Sequence, residues 1–503
     1  MAEEEIKSVE PLAKTVVKSG FWNFFTSIIA RLGGLIFTIL IARILQPELF
    51  GVYSLAISVL LLMVTFSDMG INLTLMRYLA SALTKNNKNK AAAYFSYLFK
   101  IKLILTLLFS ALLILLSYPL SVYIFRKPDL FFPLLLCAIY LIFLSLIGFY
   151  ESIFYTIQKV QYITLKETIY QILRVSLAVL GVYIIANKVV GTILGIIVAS
   201  FVTLLLLFWL SYKNHNYLFK KSAGLGKTEK KELLKFLFYI TIGGITGAVF
   251  GYIDTVILGI FVHSEFIGYY RAAFTLVGGM IGLISITNFL LPIFVQLKEE
   301  RLEKVFNKVF KYIALLAFPI ALGMAWIAKP FINIIFGSSY LPAAIPLYIL
   351  SLTIIDGTLG PLFTWLFAAK GKPQITTKLL LFFTVLNIIL TFVLVYSMVR
   401  INEMYALIGA SLAVLISRLL TLITMGIFAK KILNLKIYVK NITKPLFASI
   451  LMLIALIIFQ SSTKLIWPKS IIEIIFAAMV YFVVLIAIKG VDTEDVRLIK
   501  KLF

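Results

Sequence analysis

The first twenty residues, MAEEEIKSVEPLAKTVVKSG, are polar, and from there to the end long apolar runs alternate with short polar breaks. The runs fall at 19–45, 51–80, 91–118, 130–157, 162–187, 189–212, 236–262, 267–295, 311–328, 342–369, 373–399, 404–429, 442–460 and 468–488. A helix crosses a bilayer with about 20 apolar residues, so the pattern predicts fourteen transmembrane spans. The first run lacks a small-residue cleavage site and predicts a span, not a signal peptide. Ahead of it, Ile6, Val9, Leu12, Val16 and Val17 recur at roughly helical spacing with Lys7, Lys14 and Lys18 between them. That spacing predicts an amphipathic helix along the inner membrane surface.

The basic residues set the orientation. With the N-terminus inside and span ends counted with the adjoining segment, thirty-two Lys and Arg fall on the inner side and eight on the outer, namely Arg43, Arg126, Lys127, Lys188, Lys329, Arg400, Lys464 and Lys469. Both termini are therefore expected on the cytoplasmic face of the cytoplasmic membrane.

Composition agrees with a membrane protein. The 503 residues are 61% hydrophobic and 14% charged, against roughly 45–50% and 25% in soluble domains. The formal charge of +25 is mostly topology and contact with anionic lipid, and nucleic acid is not an expected partner. One cysteine, Cys137, and two histidines, His215 and His263, exclude an intrachain disulfide and Cys/His metal frameworks. No Asp-x-Asp, full P-loop or Gly-x-Ser-x-Gly occurs, which argues against a membrane glycosyltransferase and against covalent chemistry generally. No cofactor is expected.

The longest polar stretch, 213–235, is a basic linker that separates six spans from eight. Across it the sequence repeats weakly. Glu48-Leu49-Phe50-Gly51-Val52-Tyr53 matches Glu265-Phe266-Ile267-Gly268-Tyr269-Tyr270 with a shift of 217, and PLSVYIF from Pro119 resembles PFINIIF from Pro330. The expected organisation is an N-terminal segment (1–18), an N-lobe (19–212), the linker (213–235), a C-lobe (236–429) and two appended spans (430–503). Six spans per copy is an even number, so the copies share one orientation.

The segment FTILIARILQPELFGVYSLAISVLLLMVTFSDMGINLTLMRYLA (37–80) resembles the opening hairpin of Wzx-type oligosaccharide and polysaccharide flippases of the multidrug/oligosaccharidyl-lipid/polysaccharide exporter superfamily. Pro47, Glu48, Phe50, Gly51 and Tyr53 in the turn, then Asp68 and Gly70, carry the likeness. The resemblance implies two lobes around a central cavity that opens alternately to either side. The implied cargo is an oligosaccharide on polyprenyl phosphate or pyrophosphate, its tail in lipid along the last two spans. Glycan polymerases or glycosyltransferases would be further partners.

Charges inside the spans are the sharpest chemical signal, since each costs about 2.5–3.5 kcal/mol at mid-membrane unless paired or hydrated. Lys100 and Lys102 lie near a span end, where snorkelling suffices. Arg31, Arg174 and Arg418 lie near mid-depth and are candidate ligands for an anionic headgroup, because a guanidinium fork matches phosphate geometry. The structural alternative is pairing: depth matches Arg31 with Asp68 and Arg418 with Asp356, while Arg174 has only Glu151, which is nearer the inner face. Asp254 and Arg271 flank the outer turn near His263 at similar depth and predict a contact, with Arg271 facing the cavity as a fourth candidate ligand for the anionic headgroup. The resemblance to sodium-coupled exporters makes Asp254 and Asp356 candidate ligands for Na+, with H+ the other coupling ion. Asp68, Glu151, Asp254 and Asp356 are thus the candidate coupling or gating acids. Pro292 and Pro361 are candidate hinges. Gly243, Gly247 and Gly251, and Gly278 with Gly282, recur every four residues and predict close helix packing.

These features predict an all-α polytopic protein that flips a lipid-linked oligosaccharide by alternating access. The alternatives are a cation-coupled multidrug exporter or lipid II flippase of the same superfamily, and a non-transporting scaffold for glycan-assembly enzymes. Mid-membrane arginines disfavour cationic cargo, and a scaffold needs no polar cavity.

Overall fold

A computed structural model describes residues 2–220, 224–284, 290–461 and 468–490. Every regular element among them is helical. In order these are α1 (Ala2–Asp68), α2 (Ile71–Thr84), α3 (Lys88–Pro119), α4 (Phe131–Thr156), α5 (Val160–Ile184), α6 (Lys188–His215), α7 (Lys227–Phe261), α8 (Ser264–Ile284), α9 (Leu290–Gln296), α10 (Glu299–Trp326), α11 (Ala328–Ile335), α12 (Ala344–Leu350), α13 (Thr353–Ala369), α14 (Pro373–Val399), α15 (Glu403–Leu433), α16 (Lys440–Ser461) and α17 (Pro468–Ala487).

Among the described residues eleven helices are long and apolar enough to cross a membrane, and a pair bent by 44°, Ser338–Leu350 with Thr353–Ala369, makes a twelfth. The protein is an all-helical, multi-pass membrane protein. Side chains such as Leu115, Tyr183 and Ile184, each more than 70% exposed, suit lipid and not water. Two features separate this count from the fourteen runs in the sequence. The 67 residues of α1 would extend about 100 Å as one straight helix, yet Gln46 leaves helical geometry at φ 62°, ψ 168°, so two helices meet there. The last apolar helix, Ile472–Ala487, is short. The N-terminal segment, expected to lie on the membrane surface, runs without a break into α1.

The described 44° bend falls at the two residues between α12 and α13, whereas Pro361 sits inside α13, so the sequence candidate for a hinge and the observed bend are different places. Pro292 lies in the first turn of α9, a part of a helix in which proline is tolerated.

The chain divides into two compact units between Gly268 and Tyr269. In the first, aromatic and aliphatic side chains of α2, α3, α4 and α6 form a core around Leu79, Phe95, Phe149 and Phe154. In the second, Phe306, Phe310, Phe363 and Phe367 of α10 and α13 form another, and α16 and α17 pack through Met452, Leu456, Tyr481 and Leu485.

Among the described residues the glycine stripe of α7 shows no close packing. A methyl group on Gly243, Gly247 or Gly251, or on Gly278 of α8, would meet nothing within 4 Å. Close approach occurs elsewhere: a methyl on Gly181 or Gly191 would overlap the other's carbonyl oxygen where α5 meets α6. The same holds at the turns of the repeated motif. A methyl on Gly51 would overlap the Ser264 carbonyl, and one on Gly268 would overlap the Pro47 carbonyl.

Candidate functional site

The polar side chains of the first unit gather on α5, where helical periodicity puts residues four apart on one face. Lys166, Tyr170 and Arg174 share such a row, with Glu167 and Gln171 beside it. Gly33 brings α1 close enough for its missing side chain to matter, since a methyl there would stand 2.7 Å from Gln171 Cγ. One turn on, Phe37 of α1 lies beneath Arg174, whose guanidinium carbon is 3.7 Å from the ring centroid. Tyr170 flanks it at 5.7 Å, and the Tyr170 and Tyr140 hydroxyls are 2.9 Å apart.

Arg174 lies near the middle of α5. No carboxylate among the described residues pairs with it, and its Nε is buried without a hydrogen-bond partner. Glu151, the one acid the sequence offered, is instead taken by Lys166. Lys166 Nζ also donates to Glu167 Oε2 at 2.7 Å, and Gln171 Nε2 donates to Glu167 Oε1 at 2.7 Å. The acids here are saturated by Lys166 and Gln171, so Arg174 is held by aromatic faces, which attract a cation without neutralising it.

A second buried charge lies where α1 meets α3. Asp68 was expected to face Arg31, and Lys102 to snorkel. In the structure Lys102 is fully buried and donates to Asp68 Oδ1 at 2.6 Å. A chain of hydroxyls flanks the pair, Ser67 to Ser145 at 3.0 Å and Ser145 to Thr106 at 2.9 Å. Arg31 is exposed on α1. Asp254 of α7 is buried, with the Thr255 amide donating to Oδ1 at 2.8 Å.

In the second unit Arg418 of α15 approaches Asp356 of α13 at 3.5 Å, the pairing expected from depth. The Arg418 cation opposes a metal ion at Asp356, and no group of three or more His, Cys, Asp or Glu that could hold a metal occurs among the described residues. Arg271 of α8 has its guanidinium 5.0 Å from the Phe274 ring.

Lys166, Glu167, Gln171, Tyr170 and Tyr140 were not singled out from sequence. The four-residue spacing from Lys166 through Tyr170 to Arg174, inside an otherwise apolar run, was the signal that could have found them.

Comparison with known proteins agrees with this architecture. The lipid II flippase MurJ, in its inward closed conformation, superposes with a TM-score of 0.71 over 93% of this chain and 98% of that one at 15% identity, a likeness of fold. A membrane protein in the cps region of Klebsiella pneumoniae is 25% identical over 329 residues, 65% of each chain. The match thus spans just under two thirds of that relative. Teichuronic acid biosynthesis protein TuaB of Bacillus subtilis is 31% identical over 130 residues, about a quarter of either chain (24% and 26%). Residues 16–298, more than half of the sequence and including the hairpin motif and the whole α5 site, match the polysaccharide biosynthesis protein family, and the chain belongs to that family.

Proposed function

We propose that the protein is a flippase that moves a polyprenyl-phosphate- or pyrophosphate-linked oligosaccharide across the cytoplasmic membrane by alternating access, without covalent chemistry, for assembly of a cell-surface glycan. On this reading there are fourteen spans: α1 counts as two, the bent pair and the short α17 as one each. Both termini are cytoplasmic, and spans 1–6 and 7–12 are two copies of one unit. The family, the cps-region relative and the flippase-like fold support the cargo class.

The observation that carries the proposal is Arg174. A guanidinium in the middle of a membrane helix, stacked on Phe37 and without a carboxylate among the described residues, costs energy until an anion arrives. A phosphate of the lipid-linked headgroup supplies that anion through charge-assisted hydrogen bonds. The polyprenyl tail stays outside, and a groove of about 440 Å³ lined by Leu315, Pro319, Met452, Leu456 and Tyr481 gives it an apolar path along α10, α16 and α17. The driving force on this reading is a Na+ or H+ gradient acting at Asp254.

The test is transport of a polyprenyl-diphosphate oligosaccharide by the purified full-length chain in proteoliposomes. A charge-assisted hydrogen bond is worth about 1.5–3 kcal/mol, so Arg174→Ala should weaken cargo binding roughly ten- to hundred-fold, and Arg174→Lys should recover part of it. Wild-type transport by correctly inserted Arg174→Ala would sink the reading. Transport indifferent to collapse of both Na+ and H+ gradients would remove Asp254 from it.

A further inference from the structure

Besides Arg174 Nε, one other side-chain atom on α5 is buried without a hydrogen-bond partner among the described residues, Oε1 of Gln171. The residue is 8% exposed, and its amide cannot turn over to relieve that oxygen. Nε2 donates to Glu167 Oε1 at 2.7 Å and reaches the Ala30 carbonyl at 3.5 Å, so a flip would set oxygen against two oxygens. Glu167 is itself held by Lys166 at 2.7 Å, which fixes the amide through its partner.

The facing helix explains why Oε1 goes unmet. α1 presents Gly33, where a methyl would stand 2.9 Å from Oε1, and a glycine inside a helix has no side chain to donate and an N–H already spent on the helix. A methyl on Gly34, the next residue, would meet nothing within 4 Å, so unfilled space begins one residue along. Three residues on from Gln171, Arg174 offers the complementary atom, a donor. Residues three apart are neighbours on a helix surface, with about 5–6 Å between Cβ atoms. The pair therefore calls for one ligand that accepts at Arg174 and donates at Gln171.

The phosphates of a lipid-linked sugar are ionised and carry no donor. Its donors are the hydroxyl and acetamido groups of the sugar, and the first sugar is joined directly to the phosphate. We propose that Gln171 Oε1 accepts a hydrogen bond from a hydroxyl or acetamido N–H of that first sugar while Arg174 holds the phosphate, so that Gln171 distinguishes the glycosylated lipid from the bare carrier. This rests on the reading of Arg174 as the phosphate ligand. A bare lipid phosphate satisfies Arg174 but turns an anionic oxygen toward Oε1, and its added charge meets surroundings that already hold two carboxylates, Glu151 and Glu167, to the one ammonium of Lys166. α1 closes over both atoms in this conformation, Gly33 against Gln171 and Phe37 against Arg174, so the ligand meets them when α1 draws back from α5 in the transport cycle.

The experiment measures affinity, not transport, on the purified full-length chain in detergent. Its two probes are a polyprenyl diphosphate carrying N-acetylglucosamine and the methyl ester of the same diphosphate, which has the same charge and no donor. A buried acceptor left unsatisfied costs roughly ten-fold in affinity, so the wild type should bind the glycosylated probe about ten-fold more tightly or better. Gln171→Met keeps the length of the side chain and loses the acceptor, and should cut that ratio about ten-fold. Because the ratio compares two probes on one protein, a partial loss of folded protein does not move it. Arg174→Ala should weaken both probes alike and keep the ratio. Equal affinities in the wild type, a result that needs no variant, overturn the inference. So does an unchanged ratio in Gln171→Met, the result expected if water alone occupies Oε1. Either failure leaves Arg174 as the phosphate ligand. Unchanged affinity of Arg174→Ala for both probes instead overturns that ligand, and this inference with it.

Discussion

The buried pair of Asp68 and Lys102 allows a quantitative test of what a charge inside this protein costs. Lys102 is 1% exposed and Asp68 25%, with 2.6 Å between Nζ and Oδ1. Asp68→Asn keeps the shape and removes the counter-charge. Removing one partner of a buried pair costs about 3–5 kcal/mol, and the partial exposure of Asp68 places the expected loss at the lower end, about 3 kcal/mol. At roughly 2–4 °C per kcal/mol for a unit of this size, the melting temperature should fall by roughly 6–12 °C. Lys102→Met removes the stranded charge from the other side and keeps the packing, so Asp68→Asn with Lys102→Met should recover most of that loss. The assay is the melting temperature of the four detergent-purified proteins, read by fluorescence-detected size exclusion and completed as a double-mutant cycle. The reasoning is refuted if Asp68→Asn melts with the wild type, or if adding Lys102→Met to it lowers the melting temperature further.

Lys166 has two carboxylates, so Glu151→Gln should destabilise modestly, while Glu151→Gln with Glu167→Gln should cost more than the two single changes together; melting temperatures of the three proteins read this directly. Gly268→Ala should lower the melting temperature because its methyl overlaps the Pro47 carbonyl. Gly247→Ala meets open space and should raise it, by up to about 1 kcal/mol of helix propensity. Asp356→Asn should destabilise less than Asp68→Asn, because the Arg418 pair is longer, at 3.5 Å, and therefore weaker.

The spans were legible because lipid imposes a single requirement on twenty consecutive residues, and the runs at 130–157 and 373–399 nearly coincide with α4 and α14. The family was legible in seven residues of the first hairpin, and the structure gives physical reasons for several of them. Phe50 is buried, Gly51 permits a close approach, Asp68 holds Lys102, and Gly70 takes φ 72° where α1 breaks from α2. Depth arithmetic placed Asp356 beside Arg418, yet failed for Asp68. Counting residues from a turn fixes height and leaves rotation about the helix axis free, and it was rotation that brought Lys102 instead of Arg31. The α7 glycines misled for a related reason: spacing reports a smooth stripe and says nothing about what stands opposite it.

The contacts at Gly51 and Gly268 bear on how the two halves of the sequence can change. Position 51 abuts position 264, and position 268 abuts position 47; adding 217 to 47 and 51 gives 264 and 268. Each turn therefore presents to the other the same two roles, a glycine that yields space and a carbonyl that fills it. That reciprocity characterises an isologous interface between identical subunits, here made by one polypeptide with itself. The two turns consequently form one unit of variation. A bulkier residue or an inserted one in either turn disturbs its own glycine and the carbonyl it offers the other, so only matched changes 217 residues apart preserve the fit.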